Sequence, residues 1–404
     1  ADGPEIDLGF EPQWLLIKSA NDATRWVILD NIRGLAEGST PTLLPNATSA
    51  EASEALLKLT ATGFKILDAD TSVNASGSTI TYVAIRRGPM KAPTAGTQVF
   101  FPDLITANQS GITATGIGFS PDVIINLVRS NANYGQQICN RLTGPTKQLF
   151  TNYNSAEATT NGTALVSFDM DGYTLGSDSA GTGWNAYSGY TSVKHCFKRA
   201  PGFLDVVTYS GDGTSSRNIK HNLTVAPELI LLKNRTSGGG GAGWIAGVAS
   251  LGSDEGSLHS DSQFNAYNLI TTYGTTTFTA QNADEQINKS GETYVAYLFA
   301  TVAGVSKVGT YSGTGSDINV DCGFTSGARF VLAKRTDSSG DWYVWDSARG
   351  IVAGNDPYLL ISGAAAEVTN TDYIDPLSSG FTITSNAQSD LNTSGGTYLF
   401  LAIA

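Results

Sequence analysis

Residues 310–350 read TYSGTGSDINVDCGFTSGARFVLAKRTDSSGDWYVWDSARG, and this stretch decides the fold class. Its apolar residues come in short runs rich in β-branched and aromatic side chains, at 318–320, 330–332 and 342–345. Glycine, serine, aspartate and threonine separate the runs, a pattern typical of strands joined by tight turns. The stretch therefore predicts β structure in preference to helix.

The same pattern occurs near the start of the chain, which indicates a repeat. Lys18, Trp26, Asp30 and Gly34 recur with the same spacing as Lys334, Trp342, Asp346 and Gly350. The ending GETYVA at 291–296 also returns as GGTYLF at 395–400. A unit of roughly a hundred residues can hold its own core. We therefore predict an all-β chain of four tandem β-sandwich, jelly-roll-like modules at 1–99, 100–200, 201–303 and 304–404.

Module 1 is expected to lack its first strand. Its opening matches 315–321, but nothing before it corresponds to the VGTY run at 308–311. Either the chain begins inside a module of a longer polypeptide, or another chain supplies that strand. A short helix is predicted at 49–59, with Ser49 as its cap. Residues 86–93 form a basic, proline-containing linker, and the shorter connections after it predict that modules 2–4 form a semi-rigid rod or arch.

Composition excludes several classes of partner. The chain of 404 residues carries a net charge of −12 and has no basic cluster with interleaved aromatic residues, which argues against nucleic acid. Its longest apolar run, 294–305, is too short to cross a bilayer, so no membrane insertion is expected. Its three cysteines lack zinc-ligand spacing and are expected to be buried thiols, although Cys139 and Cys196 share a module and could pair.

No metal or cofactor is predicted. The acidic clusters at 68–70 and 169–172 lack the spacing of a calcium loop. His195, His221 and His259 have no second histidine or cysteine at ligand spacing, so they are expected to be solvated or hydrogen-bonded residues rather than bases.

Two Asp-x-x-Arg elements are the strongest candidates for chemistry. Asp30 with Arg33, and Asp346 with Arg349, each end a tryptophan-bearing strand. They could form a general acid with its electrostatic partner, or a turn held by an ion pair. Modules 2 and 3 lack the element, and no second carboxylate recurs at a fixed spacing. The turn ion pair is therefore favoured, and a two-carboxylate glycosidase site has no support.

Exposed aromatic residues are candidates for glycan or surface contact. Trp184, Tyr187 and Tyr190 lie in a segment rich in glycine and serine, and Trp244 follows the glycine-rich loop of module 3. Such rings can stack on a sugar, or they can pack in a core or an interface.

The chain resembles a repeat module of virion structural proteins of tailed bacteriophages, usually labelled tail fibres. The runs HCFKRAPGFLDVVTY at 195–209, 330–346 and 394–404 carry the resemblance, which covers essentially the whole chain. It implies an extended, multi-domain protein at the particle surface, without catalytic residues and commonly trimeric. Its expected partners are copies of itself, other virion proteins and a host-surface glycan.

The resulting hypothesis is a non-enzymatic tail fibre or tail-associated appendage. Two alternatives stay open: a capsid decoration or head-fibre protein, and a carbohydrate-binding array or polysaccharide depolymerase.

Overall fold

The computed structural model describes residues 3–35, 40–86, 90–178, 181–239, 241–281 and 283–404. Antiparallel strands dominate these ranges, which confirms the all-β prediction. The helix predicted at 49–59 is wrong, because that segment forms strands instead. Residues 87–89 of the predicted linker lie outside the described ranges.

The strands are numbered in chain order. The described part of module 1 contains β1 Glu5–Asp7, β2 Pro12–Ser19, β3 Val27–Asp30, β4 Thr40–Thr42, β5 Ala52–Glu54, β6 Leu57–Thr60, β7 Gly63–Ile66, the helical turn α1 Thr71–Asn74 and β8 Ile80–Arg86. Module 2 contains β9 Phe100–Thr106, β10 Ile112–Thr115, β11 Val123–Val128, β12 Gln137–Asn140, β13 Lys147–Phe150, β14 Ala158–Thr159, β15 Leu165–Asp169, β16 Gly172–Leu175 and β17 Thr191–Phe197. Module 3 contains β18 Leu204–Ser210, β19 Ser216–Lys220, β20 Leu229–Asn234, β21 Trp244–Val248, β22 Asp254–Gly256, β23 Asn265–Ala266, β24 Ile270–Tyr273, β25 Thr277–Gln281 and β26 Thr293–Phe299. Module 4 contains β27 Ser306–Ser312, β28 Ile318–Asp321, β29 Phe330–Arg335, β30 Trp342–Asp346, β31 Leu359–Leu360, β32 Ile374–Leu377, β33 Gly380–Ile383, the helical turn α2 Ser389–Asn392 and β34 Thr397–Ile403.

Every sheet is built from the strands of one module. Modules 2, 3 and 4 each pair a large sheet with a three-stranded sheet, and a separate core lies between the two. The large sheets have the orders β14-β13-β12-β11-β17-β9, β18-β26-β20-β21-β22-β23 and β27-β34-β29-β30-β31. Module 1 has the sheets β3-β2-β8 and β1-β7-β6, with the hairpin β4-β5.

The large sheets are apolar on both faces. In β34, Tyr398 and Phe400 point into the core of module 4, whereas Leu399 and Leu401 point into a central core. A strand buried on both faces has a continuous apolar run in place of polar–apolar alternation. Side chains of modules 2–4 meet in the central core, and the inner core of module 1 is continuous with it. The predicted rod or arch is therefore wrong, since the modules share a core and do not follow one another as separate beads.

Modules 2, 3 and 4 close into a ring. At each junction a backbone N–H of one module donates to a backbone carbonyl at the equivalent position of the next. The three bonds are Glu157 N to Arg235 O at 2.8 Å, Phe264 N to Thr336 O at 2.9 Å, and Glu367 N to Arg129 O at 2.8 Å. They link module 2 to 3, module 3 to 4 and module 4 back to 2, so the chain builds an approximately threefold arrangement.

A second repeated contact runs the other way around the ring. At equivalent positions, a buried side-chain N–H donates to a backbone carbonyl of the preceding module. The three bonds are Trp244 Nε1 to Phe150 O at 2.8 Å, Trp342 Nε1 to Ser257 O at 2.9 Å, and Gln136 Nε2 to Gly363 O at 3.3 Å. The buried indole groups thus find acceptors in the neighbouring module, which satisfies their donors without water.

Module 1 packs against modules 2 and 3. Glu11 forms an ion pair with Arg199 at 2.8 Å, and Leu35 N donates to Leu142 O at 3.0 Å. Its strand β8 lies where β17, β26 and β34 lie in the other modules, and those strands pair with β9, β18 and β27 on their outer side. Among the described residues, no strand pairs with the outer edge of β8.

Candidate functional site

Asp346 and Arg349 lie at the junction between modules 4 and 2. Arg349 Nε donates to Asp346 Oδ2 at 2.5 Å, and His195 Nε2 lies 2.9 Å from the same oxygen. All three side chains are buried. Burial opposes ionisation of Asp346, but Arg349 and His195 outweigh it, so the pKa of this carboxyl is lowered. Burial lowers the pKa of His195. The cluster is out of reach of a substrate and acts as a clamp between two modules.

Carboxylate–guanidinium pairs hold two of the three ring junctions. Glu367 accepts two hydrogen bonds from Arg129 of module 2, at 2.9 and 2.8 Å. At the equivalent place, Glu157 accepts two from Arg235 of module 3, at 2.8 and 2.9 Å. These fork-shaped pairs fix orientation as well as distance. The junctions of module 2 with modules 3 and 4 therefore use ionisable residues that could otherwise suggest catalysis.

Asp30 and Arg33 form the same turn in module 1, but on an open face. Arg33 Nε donates to Asp30 Oδ2 at 2.7 Å and Arg33 Nη1 to Glu51 Oε2 at 2.6 Å. Both carboxylates thus accept from one guanidinium, which is the arrangement of a structural ion pair. The turn borders a shallow hollow that is also lined by Trp14 and Ile85.

Trp184 and Trp244 do not reach the surface, which corrects their assignment as glycan contacts. Trp184 Nε1 donates to Gln148 Oε1 at 2.8 Å inside module 2, and Lys194 Nζ lies 5.6 Å from the centre of its ring. Burial lowers the pKa of Lys194 to about 7. Trp244 is covered by module 2 through its bond to Phe150 O. In both cases the indole ring packs in the interior and does not stack on a glycan, because a large ring gains most from full burial.

Tyr187 and Tyr190 do lie at the surface, together with Tyr134. The ring centres are 5.4 Å apart for Tyr187 and Tyr190, and 6.0 and 6.2 Å from Tyr134 to each of these. Tyr187 is 49% exposed and has a φ of 53°. Asn131 Nδ2 donates to the Tyr190 hydroxyl at 3.0 Å. The sequence interpretation missed Tyr134, whose only local signal is the turn-like NANYG at 131–135.

A cavity of about 470 Å³ lies between modules 1 and 3. Four basic residues line it, against two acidic ones: Lys58, Lys65, Arg217, Lys220, Glu5 and Asp212. Arg217 Nε lies 3.3 Å from Asp212 Oδ2, and Lys220 Nζ donates to Thr62 Oγ1 at 3.3 Å. Lys220 Nζ also lies 3.7 Å from Asp7 Oδ2, so Arg217 and Lys220 both have a carboxylate partner. Sequence spacing could not reveal this cavity, because its walls come from two modules that meet only in the fold.

Neither a metal centre nor a disulfide is found in the described part of the chain. No three potential metal ligands cluster there. Cys139 and Cys196 are free and lie on opposite sides of Ile124, one strand away in each direction. Burial raises the pKa of both thiols, so they behave as small apolar residues. None of the described helices is long and apolar enough to span a bilayer.

Comparison with known proteins gives a family without an assigned activity. No curated protein is significantly similar to the chain. Residues 1–89 and 96–404 match a domain described as being of unknown function, DUF7483. This match brings no catalytic or binding residues with it. Because it covers nearly the whole sequence, including all four modules, the chain belongs to the DUF7483 family.

Proposed function

We propose that the chain is a non-enzymatic structural protein of a tailed-phage virion, most consistent with a tail fibre or tail-associated appendage that contacts the host. One observation carries the proposal: within the described residues, buried carboxylates at the ring junctions join one module to the next. Asp346, Glu367 and Glu157 each hold a neighbouring module. The sequence resemblance to virion repeat modules supports the same role.

The ring refines the expected shape of such a protein. A chain with a shared core is a compact unit, so reach would come from joining units and not from stretching one chain. A threefold arrangement also fits a threefold position on a capsid. The alternative proposal is therefore a capsid decoration or head-fibre protein.

Labelling of intact particles tests the proposal. A gold-conjugated antibody against the chain is applied to particles of the phage that encodes it, and the particles are imaged by negative stain. Gold on the tail is the expected result. Gold on the capsid supports the alternative location, and particles without gold contradict a virion role. Release of reducing sugar ends from host polysaccharide by the purified chain, lost in Asp30→Asn, would overturn the non-enzymatic assignment.

Glycan contact is a second candidate function, and the cluster of Tyr134, Tyr187 and Tyr190 favours it. Replacing Tyr187 with alanine is expected to weaken binding to host-surface polysaccharide about tenfold, because an exposed ring that stacks on a sugar is lost. Binding is measured by titrating immobilised polysaccharide with the chain. Met170→Ala is the matched control, since Met170 is 80% exposed elsewhere on module 2. Equal affinity of both variants and the unmodified chain would rule out this surface.

A further inference from the structure

The open face of module 1 corresponds to the face that modules 2–4 bury in their ring. Strand register establishes the correspondence. Lys18 lies opposite Thr81, as Lys233 lies opposite Val295 in module 3 and Lys334 opposite Leu399 in module 4. Positions can therefore be matched residue by residue between the large sheets.

The matched positions of module 1 and module 4 are apolar in both modules, but they are exposed in module 1 and buried in module 4. In module 1 this face carries the apolar residues Trp14, Leu16, Trp26, Ile28, Leu43, Val83 and Ile85. Their counterparts in module 4 all lie in the central core: Phe330, Leu332, Trp342, Val344, Leu359, Leu401 and Ile403. Val83 and Ile85 are 51% and 53% exposed, whereas Leu401 and Ile403 are 2% and 0% exposed. An apolar sheet face of this kind is normally covered.

We propose that two further copies of this chain cover the face, so that three copies of module 1 form a ring like that of modules 2–4. The ring of modules 2–4 shows what kind of surface covers a face like this one. The surface that covers each such face in modules 2–4 is the equivalent face of two other modules. Within the described residues, the corresponding positions of modules 2–4 are buried, so only module 1 has this face available.

The existing ring predicts the contacts of the new one. Phe197, Phe299 and Ile403 occupy the position of Ile85, and Phe330 occupies that of Trp14. The ring centres of Phe197 and Phe299 are 6.2 Å apart, and those of Phe197 and Phe330 are 5.8 Å apart. Ile85 of one copy should therefore lie against Ile85 and Trp14 of its neighbours and fill the hollow beside Trp14.

The charged residues at the edge of the face are compatible with this assembly. Within each copy Arg33 pairs with both Asp30 and Glu51, which leaves a net charge of −1 at the edge of the face, where the Glu51 side chain is 45% exposed. Asp30 matches Asp346, and Val83 matches His195, which meet at 2.9 Å in the existing ring. The proposed trimer thus places Val83 of one copy beside Asp30 of the next.

Light scattering after size exclusion tests the assembly with the full chain at micromolar concentration. The expected mass is three times that of one chain. Ile85→Glu should raise the dissociation constant of the trimer by more than about 100-fold, because three carboxylates would be buried together without partners. Val352→Glu is the control, since Val352 is 51% exposed on module 4. Circular dichroism establishes that both variants are folded.

A gain-of-contact variant tests the register. Val83→His should tighten the trimer by recreating the pair of His195 and Asp346 with Asp30 of the adjacent copy, and Asp30→Ala added to it should abolish the gain. A monomer or a dimer in the unmodified chain, or a trimer that survives Ile85→Glu, would overturn the proposal, as would a Val83→His variant that does not tighten the trimer. The inference does not depend on the virion role. If the purified chain is a trimer but the antibody labels no particles, only the proposed function is contradicted.

Discussion

Replacing Trp342 with alanine is expected to lower the free energy of unfolding by about 3–5 kcal/mol, the range for removing a large buried aromatic side chain. Trp342 is fully buried, and its Nε1 donates to Ser257 O of module 3 at 2.9 Å. The substitution leaves a cavity in the central core and removes the partner of that carbonyl. Urea denaturation followed by circular dichroism measures the loss.

Trp26 offers a control at the equivalent position of module 1. It is 41% exposed, so Trp26→Ala should change the stability of single chains by less than about 1 kcal/mol. The comparison is made in an Ile85→Glu background, in which the face of module 1 remains open. If both tryptophan substitutions cost the same, modules 3 and 4 do not share the interface described here.

Replacing Asp346 with alanine is expected to cost about 3–5 kcal/mol, because removing one partner leaves Arg349 buried without its nearest carboxylate. The side chains of Asp346 and Arg349 are both 0% exposed. Asp337→Ala is the control within the same module. Asp337 pairs with Arg335 at 3.0 Å but is 37% exposed, and such surface pairs contribute at most about 1 kcal/mol. Similar losses of unfolding free energy in Asp346→Ala and Asp337→Ala would show that the pair of Asp346 and Arg349 is not shielded from water.

The pH dependence of stability provides a second measurement on Asp346. Its pKa in the folded chain is lowered, so the unfolded chain binds the proton more tightly. The stabilisation from this group is therefore present above the unfolded pKa of about 4 and is lost progressively as the pH falls below it. Asp346→Ala should show a shallower loss of stability in acid than the unmodified chain. An unchanged acid profile would contradict the assigned role of this carboxylate.

The strands of this protein were predictable, since alternating and continuous apolar runs are local properties. The apolar run at 330–332 indicated a strand, and β29 Phe330–Arg335 contains it. The helix at 49–59 was predicted wrongly because Ser49 and the glutamates after it resemble a helix start. The segment instead forms the edge hairpin and β6, where tertiary pairing overrides local preference.

The arrangement of the modules was not predictable from their connections. Short linkers restrict the distance between neighbouring modules but do not tell which faces meet. The deciding information lies in apolar residues on both faces of β26 and β34, which require a second core beyond the sandwich. The exposure of the candidate site residues was not predictable for the same reason. Trp184 and Tyr187 belong to one segment, and only the fold decides that the first is buried and the second exposed.

Closure of the ring has a consequence for synthesis on the ribosome. Arg129 and its partner Glu367 are 238 residues apart in sequence. At bacterial-type elongation rates, Arg129 in module 2 is made roughly 10–50 s before its partner Glu367 in module 4. During this interval the apolar sheet faces of modules 2 and 3 are uncovered in the nascent chain, where they can associate wrongly with other chains. Premature termination within module 4 should therefore produce insoluble protein and not a shorter soluble fragment.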